Sequence, residues 1–177
     1  MAGIFSSATF RILGTAATPQ NLFTIENIDA TKLVTIRRLT VQVDATALLV
    51  SVMPQVKTSR ATAVPTGGTV IAKAQFDTAN ASNANTIVRG GNASDGGVAT
   101  AITATAGTTI WQQYTMRMHT LAGQVLGPDN NILPALVETN DLILRQNQAL
   151  LVQVVASAGA SNPATNNWFV NIVWEEN

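Results

Sequence analysis

The strongest constraint on this chain is alternation. In TNNWFVNIVWEEN, Trp168, Val170, Ile172 and Trp174 fall on one face of an extended chain, and Asn167, Asn171 and Glu175 fall on the other. Successive side chains of a strand point to opposite faces, so a period of two predicts a strand half-buried in a layered β-fold. QNLFTIEN, TVIAKAQF, NTIVR, DLILR and QALLVQVVAS read as further strands. TTIWQQYTMRMHT does too, with Ile110, Tyr114, Met116 and Met118 on one face and Trp111, Gln113, Thr115, Arg117 and His119 on the other. No window keeps helical spacing. Alanine is abundant, but Thr, Val, Ser and Gly interrupt it and weaken any helix.

One strand changes phase. In KLVTIRRLTVQVD the apolar positions are even up to Ile36 and odd from Leu39, with the switch at Arg37 and Arg38. One extra residue there keeps both apolar sets on the core face, which is the geometry of a β-bulge. The arginine pair then stands at a solvated strand centre or contacts another subunit.

Turn signals separate the strands: VPTGGT at 64–69, GGNASDGG at 90–97, LGPDNN at 126–131 and AGASNPATNN at 158–167. Short strands with turns between them predict an all-β, antiparallel β-sandwich. The uneven loops favour a jelly roll over an up-and-down barrel. The expected organisation is an N-terminal arm over residues 1–20, small and uncharged except for Arg11, followed by one sandwich domain over 21–177. A long Gly/Ala/Thr-rich loop spans 90–109, and its second half begins to alternate before Ile110.

Charge narrows the function classes. Only 11% of the 177 residues are charged and the formal net charge is zero, against about 25% charged in an average soluble domain. So little colloidal repulsion suggests a surface covered by other subunits. Zero net charge argues against sequence-independent binding to nucleic acid, which draws on excess Lys and Arg. No apolar run reaches the roughly 18 residues that span a bilayer, and MAGIFSSATFRILG lacks the basic start of a signal peptide. The charges are unevenly placed. Lys32, Arg37, Arg38, Lys57, Arg60 and Lys73 lie early, and Glu138, Asp141, Glu175 and Glu176 late. They either face one another across subunits or stand in solvent.

Catalytic signatures do not assemble. There are no cysteines and one histidine, His119. A lone histidine builds neither a His-rich metal site nor, without a Ser/Asp order around it, a triad. Ser94 sits among glycines, but Asn92 stands where a nucleophile elbow needs its first Gly. Gly67 and Gly68 are not followed by the Gly-Lys-Ser/Thr of a phosphate loop. GPDNN lacks the twelve-residue pattern of a calcium loop. The expectation is a protein that is not an enzyme and takes no cofactor or metal.

Two stretches, FTIENIDATKLVTIRRLTVQVDA and ILRQNQALLVQVVASAGASNPATNNWFVNIVWEE, resemble virion structural proteins of tailed bacteriophages. In style they are similar to the jelly-roll or β-sandwich decoration (cement) proteins on the outside of phage heads. The resemblance implies a structural virion protein, assembled in the host cytoplasm, that binds the major capsid protein as a homo-oligomer, with three-fold association suggested by family analogy alone. Two alternatives stay open: a lectin-like, carbohydrate-binding module of a phage fibre or tail, with Trp111 or Trp168 as stacking platforms, and the major coat protein of a small virus. Neither nucleic acid nor membrane is expected as a partner. The expected subunit interface comprises Arg37, Arg38, Gly90, Gly91, Asn92, Ala93, Ser94, Asp95, Gly96 and Gly97. Glycine and alanine there allow close backbone approach by a neighbour.

Overall fold

The computed structural model describes residues 3–12, 20–45, 55–81, 83–91, 101–114, 130–131, 142–155 and 166–177. Every regular element among them is a strand: β1 (Gly3–Ile12), β2 (Gln20–Asn27), β3 (Val34–Ala45), β4 (Gln55–Ala61), β5 (Thr66–Gly67), β6 (Thr69–Val70), β7 (Ala74–Gln75), β8 (Thr86–Gly90), β9 (Ile102–Thr103), β10 (Ala106–Tyr114), β11 (Asn130–Asn131), β12 (Leu142–Leu144), β13 (Gln148–Val155) and β14 (Asn166–Glu176).

They form an antiparallel β-sandwich. One sheet runs β11-β3-β14-β1-β7, with β12 also on β3; the other runs β10-β4-β13-β2-β8-β6. The connectivity is nested. Among the eight principal strands, β1 pairs with β14, β2 with β13, β3 with β12 and β4 with β10. Each early strand thus finds its partner equally far from the chain's other end. The further pairs β3·β14 and β4·β13 complete the two sheets.

The core lies between the sheets. Phe5, Val34, Ile36, Leu39, Val41, Trp168, Val170, Ile172 and Trp174 come from the first, and Phe23, Ile25, Val56, Val88, Leu150, Val152 and Val154 from the second. The alternation in β14 holds as expected: Trp168, Val170, Ile172 and Trp174 are buried, and Asn171 is exposed. The ring of Trp174 stacks on Phe5, with centroids 5.9 Å apart.

The phase change in β3 is a bulge. Val173 opposes Arg38 and Trp174 opposes Ile36, so Arg37 has no place of its own in the ladder. Val34 and Ile36 before it, and Leu39 and Val41 after it, all reach the core.

Three expectations change. The arm expected over 1–20 is, over Gly3–Ile12, a full strand of the first sheet, paired with β14 from Gly3↔Glu176 to Ile12↔Asn167. Its residues are small, yet Phe5 and Ser7 point inward while Ile4 and Ala8 point outward, and that alternation suffices beside β14. In β10, Ile110 and Trp111 both pack against the core rather than on opposite faces. The register steps from Thr109↔Ser59 to Trp111↔Thr58, a second irregularity that the pattern did not signal. TVIAKAQF is not one strand but a strap across one side of the sandwich. Its β6 end bonds β8 of the second sheet, and its β7 end bonds β1 of the first.

The second sheet carries a small extra layer. β5 and β9 pair as a ribbon, reached through Gly67 and Gly68 at φ 68° and 69°. These left-handed values favour glycine. A Cβ on Gly67 would also lie 2.5 Å from the Ala101 carbonyl oxygen. Asn21 Nδ2 ties the ribbon down by donating to the carbonyls of Ile102 (2.9 Å) and Ala104 (3.2 Å).

Candidate functional site

Of the expected interface, Arg37, Arg38, Gly90 and Gly91 are described; Asn92, Ala93, Ser94, Asp95, Gly96 and Gly97 lie outside the described residues, as do Arg117 and His119. The described members are not brought together. Gly90 ends β8 on the second sheet, and the Gly91 N–H donates to the Leu22 carbonyl at 2.8 Å. Arg37 lies on the first sheet, half-buried, and donates through Nε to Glu175 Oε2 at 2.9 Å. Early basic and late acidic residues therefore meet within one chain at this point. Arg38 is exposed on the same strand. The loop expected over 90–109 also shrinks, because β8 holds Gly90 while β9 and β10 hold Ile102–Thr103 and Ala106–Tyr114.

The outward surface of the strap runs against ordinary patterning. Val70, Ala72, Ala74 and Phe76 are exposed at every second position, while Ile71 packs on the core. Lys73 turns inward and donates Nζ to the carbonyls of Asn83 and Thr86 (the latter at 2.8 Å). Burial lowers the Lys73 pKa, and the charge of Glu176 partly offsets this. The Phe76 N–H donates to the Ile4 carbonyl at 3.1 Å, bringing a second exposed apolar side chain beside it. Phe76 is 67% exposed and Val70 62%. The strap thus shows solvent a row of apolar side chains beside the polar Gln75 and leaves its one cation half-buried.

A polar cluster closes one end of the sandwich. Asp29 Oδ1 accepts from the N–H groups of Thr31 (2.7 Å) and Lys32 (2.9 Å) and from the Thr31 hydroxyl. Its Oδ2 accepts from Asn83 Nδ2 and Asn85 Nδ2, each at 3.0 Å. These donors hold the Asp29 carboxyl well below the ordinary carboxylate range. Glu176 is buried, its Oε1 accepting from Trp174 Nε1 (3.0 Å) and its Oε2 from the Asn83 N–H (2.7 Å). Beside this cluster lies a cavity of about 250 Å³ lined by Gly3, Phe5, Lys32, Asn80, Asn83 and Glu176, with Ala79 and Ala81. The sequence reading missed it, because its walls come from β1, the β2–β3 turn, the segment after the strap and the end of β14. The density of Asp and Asn in DTANASNAN was the available signal, since these residues close turns with their own side chains.

A second buried carboxylate lies under the ribbon. Glu26 is fully buried, and its Oε1 accepts from Arg89 Nη2 (2.9 Å) and Nε (3.1 Å). Arg89 Nη1 reaches the Gly67 carbonyl at 3.2 Å, linking carboxylate and ribbon. Glu26 Oε2 has no hydrogen-bond partner among the described residues, and neither do the buried hydroxyls of Thr24 and Ser59 on the same face. Burial pushes the Glu26 carboxyl above its ordinary value, and Arg89 offsets this only in part.

Among the described residues no three His, Cys, Asp or Glu side chains gather as metal ligands, and no helix is long and apolar enough to cross a membrane. No family model, curated protein or solved structure matches the chain.

Proposed function

We propose that this chain is a structural virion protein: an accessory capsid decoration or cement subunit that works as a homo-oligomer bound to the head of a tailed bacteriophage. The observation that carries the reading is the strap. A side of the sandwich that exposes Val70, Ala72, Ala74, Phe76 and Ile4 while turning Lys73 inward is built to be covered. Arg37 pairs with Glu175 inside the chain, which removes charge that would otherwise resist close approach. The nested pairing of eight principal strands supports the jelly-roll form of the sandwich, the form that such proteins take by resemblance.

The lectin-like alternative named Trp111 or Trp168 as its stacking platforms, and neither stands free on the surface. Trp168 and Trp174 are interior, and Trp111 packs against the core edge. A sugar site on this fold would have to stand elsewhere.

Two measurements test the proposal. Sedimentation of the purified protein at micromolar concentration gives a discrete oligomer, and Phe76→Asp shifts it toward monomer without changing its circular dichroism. Mixed with undecorated heads, the protein copurifies at fixed stoichiometry. A monodisperse monomer that leaves capsids unbound removes the proposal.

A further inference from the structure

The cavity at the polar end has the chemistry of a ligand site. Lys32 and Glu176 both line it, so its lining residues bring one charge of each sign. Lys32 is exposed, whereas Glu176 is buried. Both Glu176 oxygens already accept an N–H, from Trp174 and from Asn83. Part of its charge is therefore neutralised, yet a carboxylate has about four lone-pair positions and two remain for further donors. Asn80 and Asn83 add carboxamides, which both donate and accept. Asn80 is braced by Asp77 Oδ2 (3.2 Å) and Asn83 by Asp29 Oδ2 (3.0 Å), so both amides are oriented before any guest arrives. The methyl groups of Ala79 and Ala81 and the edge of Phe5 supply apolar surface. Gly3 lets the Phe5 ring and Asn80 close in beside it: a Cβ there would lie 2.7 Å from the Phe5 ring and 3.2 Å from Asn80 Cβ.

From these features we infer that the cavity binds a small, neutral, polyhydroxylated ligand, of the size and chemistry of one sugar unit. Drug-sized ligands need pockets of about 300–1,000 Å³, and this one, at about 250 Å³, suits a single ring. An anion would meet the buried Glu176 carboxylate, and a cation would meet Lys32. A ligand rich in hydroxyls offers a donor to the carboxylate, acceptors to the ammonium and both to the amides, while its C–H faces rest on Ala79 and Ala81. The site binds through hydrogen bonds, with no exposed aromatic platform, so affinities in the millimolar range are expected for a free monosaccharide. The inference does not rest on the capsid reading, and a sugar unit is equally available on a cell surface or in solution.

The full-length protein can be titrated by amide-resolved NMR with glucose, galactose, mannose and N-acetylglucosamine in turn, and with glycine and sodium acetate as charged comparators. The expected result is saturable shifts, for at least one sugar, confined to Gly3, Lys32, 79–81 and Asn83. Lys32→Ala and Asn80→Ala, both at the surface, should each weaken that sugar by roughly tenfold, about the worth of one hydrogen bond, and leave the remaining spectrum unchanged. Absence of saturable shifts with all four sugars overturns the inference. So does tighter binding of glycine or acetate, or sugar binding that both variants retain. Oligomer state followed in the same samples separates this outcome from the fate of the capsid proposal.

Discussion

Arg37 and Glu175 meet on the outer face of the first sheet because β3 carries one residue more than β14 at that point. The extra residue is Arg37 itself, so one position sets both the bulge and the ion pair. The two roles separate experimentally. Arg37→Ala removes the pair and keeps the bulge. With side chains 37% and 19% exposed, the pair is worth about 0–1 kcal/mol, and urea unfolding should shift by no more than that. Deleting Arg37 removes the bulge and sends either Val34 and Ile36 or Leu39 and Val41 to the wrong face. That variant should lose cooperative unfolding. A deletion mutant as stable as Arg37→Ala would mean that β3 can slip without penalty.

The two interior tryptophans of β14 should respond differently to the same change. Trp174 Nε1 donates to Glu176, whereas the buried Trp168 Nε1 finds no acceptor among the described residues. Trp174→Phe leaves a buried carboxylate oxygen short of a donor, at about 1–3 kcal/mol beyond the packing loss. Trp168→Phe removes an unpaired polar group and should cost less. Truncation of either to Ala should cost about 3–5 kcal/mol. Denaturant midpoints for the four variants decide this, and equal losses for the two Phe variants would contradict it.

Glu26 gives stability an unusual pH dependence. Its folded-state pKa is raised above 4.5, so the folded protein binds a proton more tightly than the unfolded chain does. This group's contribution therefore falls as pH rises from 4.5 through the raised value. Each unit of such a shift corresponds to about 1.4 kcal/mol. Glu26→Gln should flatten the stability profile across that window and, by removing the carboxylate that holds Arg89 against the Gly67 carbonyl, raise hydrogen exchange in the β5–β9 ribbon at neutral pH. Thermal melts at several pH values, with hydrogen exchange over 66–70 and 101–106, test both points. An unchanged profile would show that Glu26 ionises freely in the fold.

Asp29 acts with the opposite sign. Its carboxyl is held below the ordinary 3.8 by hydrogen bonds from Asn85, Thr31 and Lys32. Its contribution is fully present above 3.8 and is lost as pH falls below that value. Asp29→Ala should remove this acid-side loss and raise hydrogen exchange at the Thr31 and Lys32 backbone amides at neutral pH. Normal protection at those amides in the variant would refute the hub role.

Sequence patterning revealed whatever depended on one strand seeing one core. QNLFTIEN coincides with β2, DLILR contains β12, and the phase change in β3 located its bulge. It failed where a second layer intervened. Every residue from Leu22 to Asn27 is buried; Thr24 and Glu26 lie away from the core, and among the described residues the fold-back of 66–67 and 102–103, with the Arg89 side chain, lies over that side of β2. The strap misled for the opposite reason. Its alternation is genuine, but Lys73 takes the inward position by finding two carbonyls, and Phe76 is left outside. The cavity was invisible because four segments distant in sequence build it, and no single segment carries a motif.

The pairing of β1 with β14 joins Gly3 to Glu176 and Ile12 to Asn167. During synthesis β1 leaves the ribosome long before its full-length partner β14, because the other described strands lie between them in sequence. At roughly 5–20 residues per second, Phe5 waits about 8–34 seconds for Trp174 to be made. The first sheet cannot close vectorially as the chain lengthens, because β1 lacks its full-length partner until β14 is made. A nascent chain stalled before residue 166 would hold β1 without β14, its apolar side unmatched, and would be a natural client for a chaperone.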